Sequence, residues 1–278
     1  MDTLSPFFSR FVLSASVFYS GRLCGVSGDH ASETAGHLHV LRRGVLKIER
    51  PKRKPLTIGQ PSVLFYPRPC PHRFRADGSG AEIVCAAIEF GSGMMNPLTR
   101  ALPELVVVPL DSVPELEPTV DLLFSEAFAE HPGRQAAVDR LAEYFLVLLL
   151  RSAMKARLIE GGIFMGLADP RLSKAIAQMH ERPEHEWTLD ALAQIAGMSR
   201  ARFAVQFRRV VGVTPFDYLA DWRIGVAQTL LKRGEALKIV APAVGYSSSA
   251  ALTRVFSKRL GLSPTEWILR NAKVSAAG

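Results

Sequence analysis

The chain has 278 residues, enough for two domains that each bury a core, and its formal net charge at pH 7 is +8. Residues 170–278 contain 16 Lys and Arg against 8 Asp and Glu, whereas residues 1–169 contain 18 of each kind, so the whole excess lies in the last part of the chain. This asymmetry favours DNA or RNA as a partner. A membrane span is excluded, because the longest strongly apolar run, residues 144–150, falls well short of the roughly 18 residues required.

The first segment is apolar, and residues 11–20 (FVLSASVFYS) imitate a short signal sequence. Asp2 is unusual in a basic leader, and Arg22 stands where a cleavage site needs small residues. The three cysteines, an odd number, argue against a disulfide scaffold and for thiols in a reducing compartment. We therefore expect a cytoplasmic protein.

Residues 36–90 have the pattern of short strands separated by turn residues. Strands are predicted within residues 37–50, 56–67 and 81–90, and a turn is predicted at residues 77–80 before the last of them. His37 and His39 alternate along one strand, so their side chains share a face. The spacing of proline and histidine in PRPCPH, residues 67–72, resembles the second metal motif of the cupins. That resemblance implies a small β-barrel sensor domain.

The histidines of this segment leave several functions open. His37, His39 and His72 could bind Zn²⁺ or Fe²⁺, and a metal-dependent cupin enzyme is one alternative. However, Pro69 replaces the glycine of the motif, and no acidic ligand follows His39 at the usual spacing. We therefore expect histidines that are satisfied or exposed, with no metal, no cofactor and no catalytic residue.

Two helices are predicted over residues 119–157, with a break at residues 131–133. The second helix carries a continuous apolar stripe that can pack on the barrel or against a second copy. Its members are Val138, Leu141, Ala142, Phe145, Leu148 and Leu149. Glycine and proline then mark residues 161–170 as the linker between two domains.

The last third of the chain repeats itself. Residues 199–215 (SRARFAVQFRRVVGVTP) and 248–264 (SSAALTRVFSKRLGLSP) align at an offset of 49. In each copy a serine can cap a helix, and a glycine, Gly212 or Gly261, can end it. A shorter helix precedes each copy, within residues 188–197 and 237–248. In the second of these, Pro242 is tolerated if the helix begins near Ile239. The sequence therefore predicts two helix-turn-helix units.

The second helix of each unit is basic and contains no acidic residue. In the first, Phe203, Phe207 and Val210 form the buried stripe, so small residues and arginines lie on the outer face. Small residues let a helix enter the major groove, where arginines reach bases or phosphates. A helical bundle with a solvated basic surface is the alternative. The DNA-contact candidates are Arg200, Ala201, Arg202, Val205, Arg208, Arg209, Ser249, Ala250, Thr253, Arg254 and Lys258.

Residues 170–270 closely resemble the AraC/XylS family of transcription regulators, through LAQIAGMSRARFAVQFRRVVGVTPFDYLADWRIGVAQTLL and VGYSSSAALTRVFSKRLGLSPTEW. The resemblance implies a long helix at about residues 215–231 between the two units, with both recognition helices on one face of double-stranded DNA. It also implies a homodimer and contact with RNA polymerase. The expected fold is α+β in two domains. Residues 1–165 form a cupin-like sensor and dimerisation barrel with flanking helices, and residues 170–278 form an all-α tandem helix-turn-helix domain.

The opening MDTLS, an early cysteine and the IVC strand are similar to one subgroup of this family, the regulators that sense reactive chlorine. The resemblance implies that Cys24 and Cys85 form the redox-reactive pair and that the protein is an activator. Cys70 lies between Arg68 and Arg73, which would favour its thiolate. Gating by a small organic ligand and the absence of any inducer site remain as alternatives, and Cys85 also fits a plain buried thiol.

Overall fold

The computed structural model describes residues 5–11, 13–28, 35–91, 96, 99, 101–155 and 162–275. The chain divides into two compact units. We name the two units after their predicted roles. The sensor unit comprises Leu13–Gly93 and Leu102–Ile159, and the DNA-binding unit comprises Met1–Val12, Met94–Ala101 and Glu160–Gly278. The division differs from the predicted one, because the first residues of the chain, including helix α1 (Ser5–Arg10), belong with the C-terminal part.

The sensor unit is built on one curled antiparallel sheet. Strand β6 lies at its centre and pairs with β1, β2 and β3 along its length, and the main path runs β4-β3-β6-β2-β5-β7. This cupin-like arrangement agrees with the expected barrel. The strands are β1 (Leu13–Val26), β2 (Gly36–Arg43), β3 (Leu46–Glu49), β4 (Leu56–Ile58), β5 (Ser62–Tyr66), β6 (Arg73–Phe90) and β7 (Val106–Pro109).

The predicted turn at residues 77–80 is wrong, because β6 runs through it without a break. Its partner β1 pairs Leu23 with Ala81 and then Gly25 with Ala76, so the four intervening residues of β6 form a bulge. The turn chemistry is nevertheless present, since the amide of Ser79 donates to Asp77 Oδ1 at 3.0 Å. Pairing with β1 on both sides keeps the two halves of the strand continuous.

Helices α2 (Glu117–Phe128) and α3 (Arg134–Lys155) confirm the predicted pair and its break. The buried face of α3 packs on β1 and α2, so most of the apolar stripe is used within the unit. Two carboxylates of α3 also bind the edge of β1. Asp139 Oδ1 accepts from the amide of Val17 at 2.7 Å, and Glu143 Oε1 accepts from the amide of Ala15 at 3.3 Å.

The C-terminal part of the DNA-binding unit is entirely helical. Its helices are α4 (Gly162–Ala168), α5 (Leu172–Glu181), α6 (Leu189–Ile195), α7 (Arg200–Val211), α8 (Pro215–Lys232), α9 (Leu237–Ala243), α10 (Ser249–Leu260) and α11 (Pro264–Ser275). The predicted linker at residues 161–170 is wrong, because α4 occupies most of it and packs on α5 and α7. Gly166 permits this contact, since a Cβ there would lie 2.8 Å from side-chain atoms of Ile176 and Val211.

Helix α9 begins two residues earlier than predicted. It starts at Leu237, so Pro242 is its sixth residue and interrupts the hydrogen-bond pattern near the end rather than at the start. The helix ends at Ala243, one residue after Pro242. No helix in the described part of the chain is long and apolar enough to cross a membrane.

Candidate nucleic-acid interface and sensor site

Serine side chains cap the second helix of both helix-turn-helix units, as predicted. Ser199 Oγ accepts from the amide of Arg202 at 3.4 Å, and Ser248 Oγ accepts from the amide of Ala251 at 3.2 Å. Gly212 and Gly261 end α7 and α10 in the left-handed conformation, with φ of 88° and 73°. These caps satisfy backbone groups that the helices leave open, and they fix the ends of both recognition helices.

Each recognition helix buries one face and leaves the other in solvent. Phe203 and Phe207 of α7, and Leu252 and Phe256 of α10, are fully buried. The buried stripe of α7 continues at Val211 rather than at the predicted Val210, which is only half-buried. A helix with 3.6 residues per turn places residue 211 four positions after residue 207, on the same face.

The predicted DNA-contact residues divide by exposure. Val205 is 70% exposed, which is unusual for a large apolar side chain and fits contact with a thymine methyl group. Ser249 and Thr253 are half-buried. The exposed candidates are Arg200, Ala201, Arg202, Val205, Arg208, Arg209, Ala250, Arg254 and Lys258.

Two of these arginines have partners within the fold. Arg209 donates to Gln206 Oε1 at 2.6 Å, and Arg200 forms an exposed ion pair with Asp190 at 3.6 Å. Both contacts lie in solvent, so both arginines can exchange them for a phosphate at little cost. Neither contact removes the residue from the candidate interface.

One arginine of this unit has a structural role that no sequence pattern predicts. Arg223 of α8 donates to the carbonyls of Pro183, His185 and Gly245, at 2.7, 2.9 and 3.3 Å. It thereby joins the long helix to the segment before α6 and to the turn before α10. Gly245 must be glycine there, because a Cβ would lie 2.6 Å from the Arg223 guanidinium.

In the sensor unit, three buried histidines meet inside the curled sheet. One ligand nitrogen from each of His37, His39 and His72 lies within 4.8 Å of the other two. His72 Nδ1 lies 2.7 Å from the carbonyl oxygen of Cys70, so this nitrogen must carry a proton and donate. His72 Nε2 then accepts from His39 Nε2 at 2.9 Å.

This cluster has the chemistry of a metal site, with one mismatch. Three neutral imidazoles suit Zn²⁺, and a bound ion would replace the proton shared by His39 and His72. Two ligands of a tetrahedral zinc ion would be about 3.3 Å apart, so these two nitrogens would have to separate by a few tenths of an ångström. Aromatic rings enclose the site, since Tyr66 stacks on His72 with centroids 4.1 Å apart.

The three thiols of the sensor unit differ in exposure. Cys24 is exposed, Cys70 is half-buried and Cys85 is buried. Burial raises the pKa of Cys85 well above its ordinary value. The pKa of Cys70 is also raised, first by burial and then by the neighbouring Glu104. The prediction that arginines favour the Cys70 thiolate is therefore wrong, because burial and Glu104 outweigh Arg50, Arg53 and Arg68.

Cys24 and Cys85 are on paired strands but are not neighbours. Cys85 pairs with Tyr19, and Cys24 follows Tyr19 by five residues along β1. At about 3.3 Å per residue, their Cα atoms are roughly 15 Å apart. A disulfide requires less than about 7 Å, so the expected pair cannot form in this conformation. Tyr19 lies between them, and both cysteines add to the effect of burial in raising its pKa.

Comparison with known proteins gives two family matches. A cupin family matches residues 2–155, and a helix-turn-helix domain family matches residues 192–270. The chain is 33% identical to the "RCS-specific HTH-type transcriptional activator RclR" of Escherichia coli K12, over 82% of both chains. It is 26% identical to the HTH-type transcriptional regulator MtrA of Neisseria gonorrhoeae, over 83% of this chain and 84% of the other.

Among solved structures, the chain resembles a transcriptional regulator with an AraC-type DNA-binding domain from Chromobacterium violaceum. The identity is 24%, and the match covers 38% of this chain and 95% of the other, with a TM-score of 0.36.

Proposed function

The chain belongs to the AraC family of DNA-binding transcription regulators, and we propose that it activates transcription in response to reactive chlorine species. DNA binding follows from the family and from the two basic recognition helices. The response to an oxidant and the direction of regulation are the proposal. Its principal support is the likeness to a relative named as an RCS-specific activator along most of both chains.

The thiols support the proposal by their graded access to solvent. Oxidants attack thiols that they can reach, and Cys24 is the exposed one. Hypochlorous acid converts such a thiol to a sulfenic acid and releases chloride and a proton. The sulfenic acid can then condense with a second thiol, which forms an S–S bond, breaks the S–O bond and releases water. The family resemblance assigns the role of second thiol to Cys85. Because the two residues are roughly 15 Å apart, the bond requires β1 to leave β6 near Cys24.

Such a rearrangement would change the strand that α3 binds. Asp139 and Glu143 hold the backbone of β1 at Val17 and Ala15. Oxidation can alter regulation only if the oxidised form has different free energies in the active and inactive conformations. Displacement of β1 from β6 supplies that difference.

A reporter assay with three single-cysteine variants tests the proposal. Cys24→Ala and Cys85→Ala should abolish induction by hypochlorite and leave DNA binding by the unstressed protein unchanged. Cys70→Ala should have a smaller effect, because its loop can be oxidised without joining two strands. Induction of the first two variants to the level of the unsubstituted protein would exclude the disulfide switch.

We propose two partners besides promoter DNA, namely a second copy of the chain and RNA polymerase. Leu122, Phe128 and Tyr144 on α2 and α3 are each at least half exposed, which supports a homodimer through these helices. Sedimentation equilibrium should show a dimer for the unsubstituted protein. For Tyr144→Glu it should show a dimer with a larger dissociation constant. An activator should also increase transcription by purified RNA polymerase from a promoter that carries its site.

The three-histidine cluster supports a second candidate, a sensor that carries a metal ion. His37, His39 and His72 would hold Zn²⁺ or Fe²⁺, which would fix β2 against the loop before β6. Metal analysis of protein purified without chelator should find about one ion per chain. His39→Ala should lose the ion, and Cys70→Ala, which leaves all three histidines, should retain it. Equal metal content in the two variants would reject this candidate.

A further inference from the structure

The sensor unit contains a cavity of about 400 Å³ outside the histidine cluster. Three loops form it, namely the β3–β4 loop, the β5–β6 loop and the segment before β7. Its volume falls in the range of small-molecule sites, roughly 300–1,000 Å³. The lining residues are Arg50, Pro51, Arg53, Arg68, Pro69, Cys70, Pro71 and Glu104.

The charges that line this cavity are unbalanced. Arg50 and Arg53 share one carboxylate, that of Glu104, at 3.7 and 3.2 Å. Arg68 donates to the carbonyl oxygen of Leu102 at 2.9 Å. Cys70 supplies no further negative charge, because burial and Glu104 raise the pKa of its thiol. Positive charge among the lining residues therefore exceeds negative charge by two.

Two buried polar atoms beside the cavity also favour a ligand that accepts hydrogen bonds. Arg50 Nε and the hydroxyl of Tyr66 are buried, and neither makes a hydrogen bond to any residue that the structure describes. The charges of Arg50 and Glu104 act on the pKa of Tyr66, which burial raises, so its hydroxyl lies near this group. Buried donors of this kind are rarely left without an acceptor in folded proteins.

We propose that this arginine pocket, defined by Arg50, Arg53, Arg68, Cys70 and Glu104, binds a small divalent oxyanion such as a dicarboxylate or a phosphate monoester. Guanidinium groups match the geometry of both ligands with paired N–H donors, and two negative charges balance the excess. The ligand competes with Glu104 for Arg50 and Arg53. The proposal goes beyond oxidant sensing, because the pocket can bind an anion whether or not the thiols respond to an oxidant.

Charge-selective alkylation of Cys70 tests the pocket directly. Iodoacetate is an anion and iodoacetamide is its neutral counterpart, and both attack the same thiolate. The ratio of their rates is therefore independent of the thiolate fraction. Exposed Cys24 in the same molecule is the internal reference. Mass spectrometry should find this ratio about tenfold higher at Cys70 than at Cys24 at low salt. Equal ratios at the two cysteines would overturn the proposal.

Variants then assign the effect to the pocket. Arg53→Gln, at an exposed side chain, should lower the ratio at Cys70 towards that at Cys24. Glu104→Gln should raise it by removing the competing carboxylate. Arg140→Gln makes the same charge change on exposed α3, outside the pocket, and should leave the ratio unchanged. If the rate ratio at Cys70 falls equally in Arg53→Gln and Arg140→Gln, the effect comes from the overall charge of the protein, and the proposed site is wrong.

Protection experiments distinguish the sources of the anion. Inorganic phosphate, succinate and acetate are compared as protectants of Cys70 against iodoacetate at constant ionic strength. Phosphate or succinate should slow alkylation at millimolar concentration, and acetate, which carries one charge, should do so less. Protection by phosphate alone would identify a phosphate ligand, and protection by succinate alone a dicarboxylate. Equal protection by all three, matched by chloride, would show screening only and reject a specific site.

Discussion

Arg259 and Asp221 form an ion pair, with 2.9 Å between Nη1 and Oδ1, that joins the second recognition helix to the long helix α8. Arg259 also donates through Nη2 to Asp217 Oδ1 at 2.8 Å. The Asp221 side chain is only 9% exposed. The third basic residue of α10 therefore holds the fold together, whereas Arg254 and Lys258 face solvent.

Removal of this guanidinium should destabilise the DNA-binding unit. Arg259→Met removes this counter-charge from the buried Asp221 carboxylate, which costs about 3 kcal/mol. Thermal unfolding should show the loss, and Arg259→Met with Asp221→Asn should lose less than Arg259→Met alone. Lys258→Met is the matched control and should unfold like the unsubstituted protein. Equal stability of Arg259→Met and Lys258→Met would show that the ion pair contributes nothing.

Substitution of a residue that reads bases should affect DNA binding differently from substitution of a residue that contacts phosphates. Arg254→Ala should weaken binding to the cognate site by about 1–3 kcal/mol and relax specificity at one position. Lys258→Ala and Arg209→Ala should weaken binding to all sequences and reduce the salt slope by about one each. Gel-shift titrations at several salt concentrations measure both effects, with Arg140→Ala in the sensor unit as the control. Unchanged affinity in Arg254→Ala would contradict the placement of α10.

The stability of the DNA-binding unit should depend on pH through Asp217. Hydrogen bonding to Thr214 and then to Arg259 lowers the pKa of Asp217 in the folded state. A lowered pKa stabilises the fold above the unfolded value, about 3.9, and this contribution is lost as pH falls through the folded pKa. The side chain is half exposed, so the effect is under about 1 kcal/mol. Denaturant titrations should show a smaller loss below about pH 4 in Asp217→Asn.

The recognition helices could be predicted from the sequence because their signals are local. A capping serine, an apolar stripe and a terminal glycine all fall within about 14 residues of one another, and the second unit repeats them. The spacing of apolar residues also predicted the helices α2 and α3. The ion pair of Arg259 with Asp221 could not be predicted, because the charge of an arginine carries no information about which acidic residue it meets in space.

Two of the wrong predictions, the turn at residues 77–80 and the linker at residues 161–170, have the same cause. In both places contacts between distant parts of the chain override a local turn signal. Residues 77–80 have turn composition, but β1 pairs on both sides of them and keeps β6 continuous. Residues 161–170 contain glycine and proline, but the apolar side chains between them have α5 and α7 to pack against. The arginine pocket was not predicted because its residues come from three separate loops.

The position of α4 changes the expected limits of an independently folding fragment. Ile163, Phe164 and Leu167 are buried within the DNA-binding unit, and each contributes about 1.5–3 kcal/mol by burial. A fragment of residues 160–278 should therefore fold and bind DNA, whereas one of residues 169–278 should be several kcal/mol less stable. Circular dichroism during heating compares the two. Equal melting temperatures would show that α4 is dispensable.

The thiols of the sensor unit should react with an oxidant in a fixed order. Because Cys24 is exposed and Cys85 is buried roughly 15 Å away, limiting hypochlorite should modify Cys24 first. A bond from Cys24 to Cys85 should then form more slowly, at a rate set by separation of β1 from β6 near the bulge. Peptide mass spectrometry measures both products over time, and hydrogen exchange measures opening of the two strands.

Loss of one of the two carboxylates that hold β1 should change strand opening and disulfide formation together. Asp139→Asn weakens the contact with the amide of Val17, so it should increase both hydrogen exchange in β1 and the rate of disulfide formation. Arg151→Gln, at an exposed position of α3 away from the contacts of Asp139 and Glu143 with β1, is the control and should change neither. If the disulfide instead forms as fast as Cys24 is lost, and Asp139→Asn has no effect, the strands must already sample a conformation with the two thiols in contact.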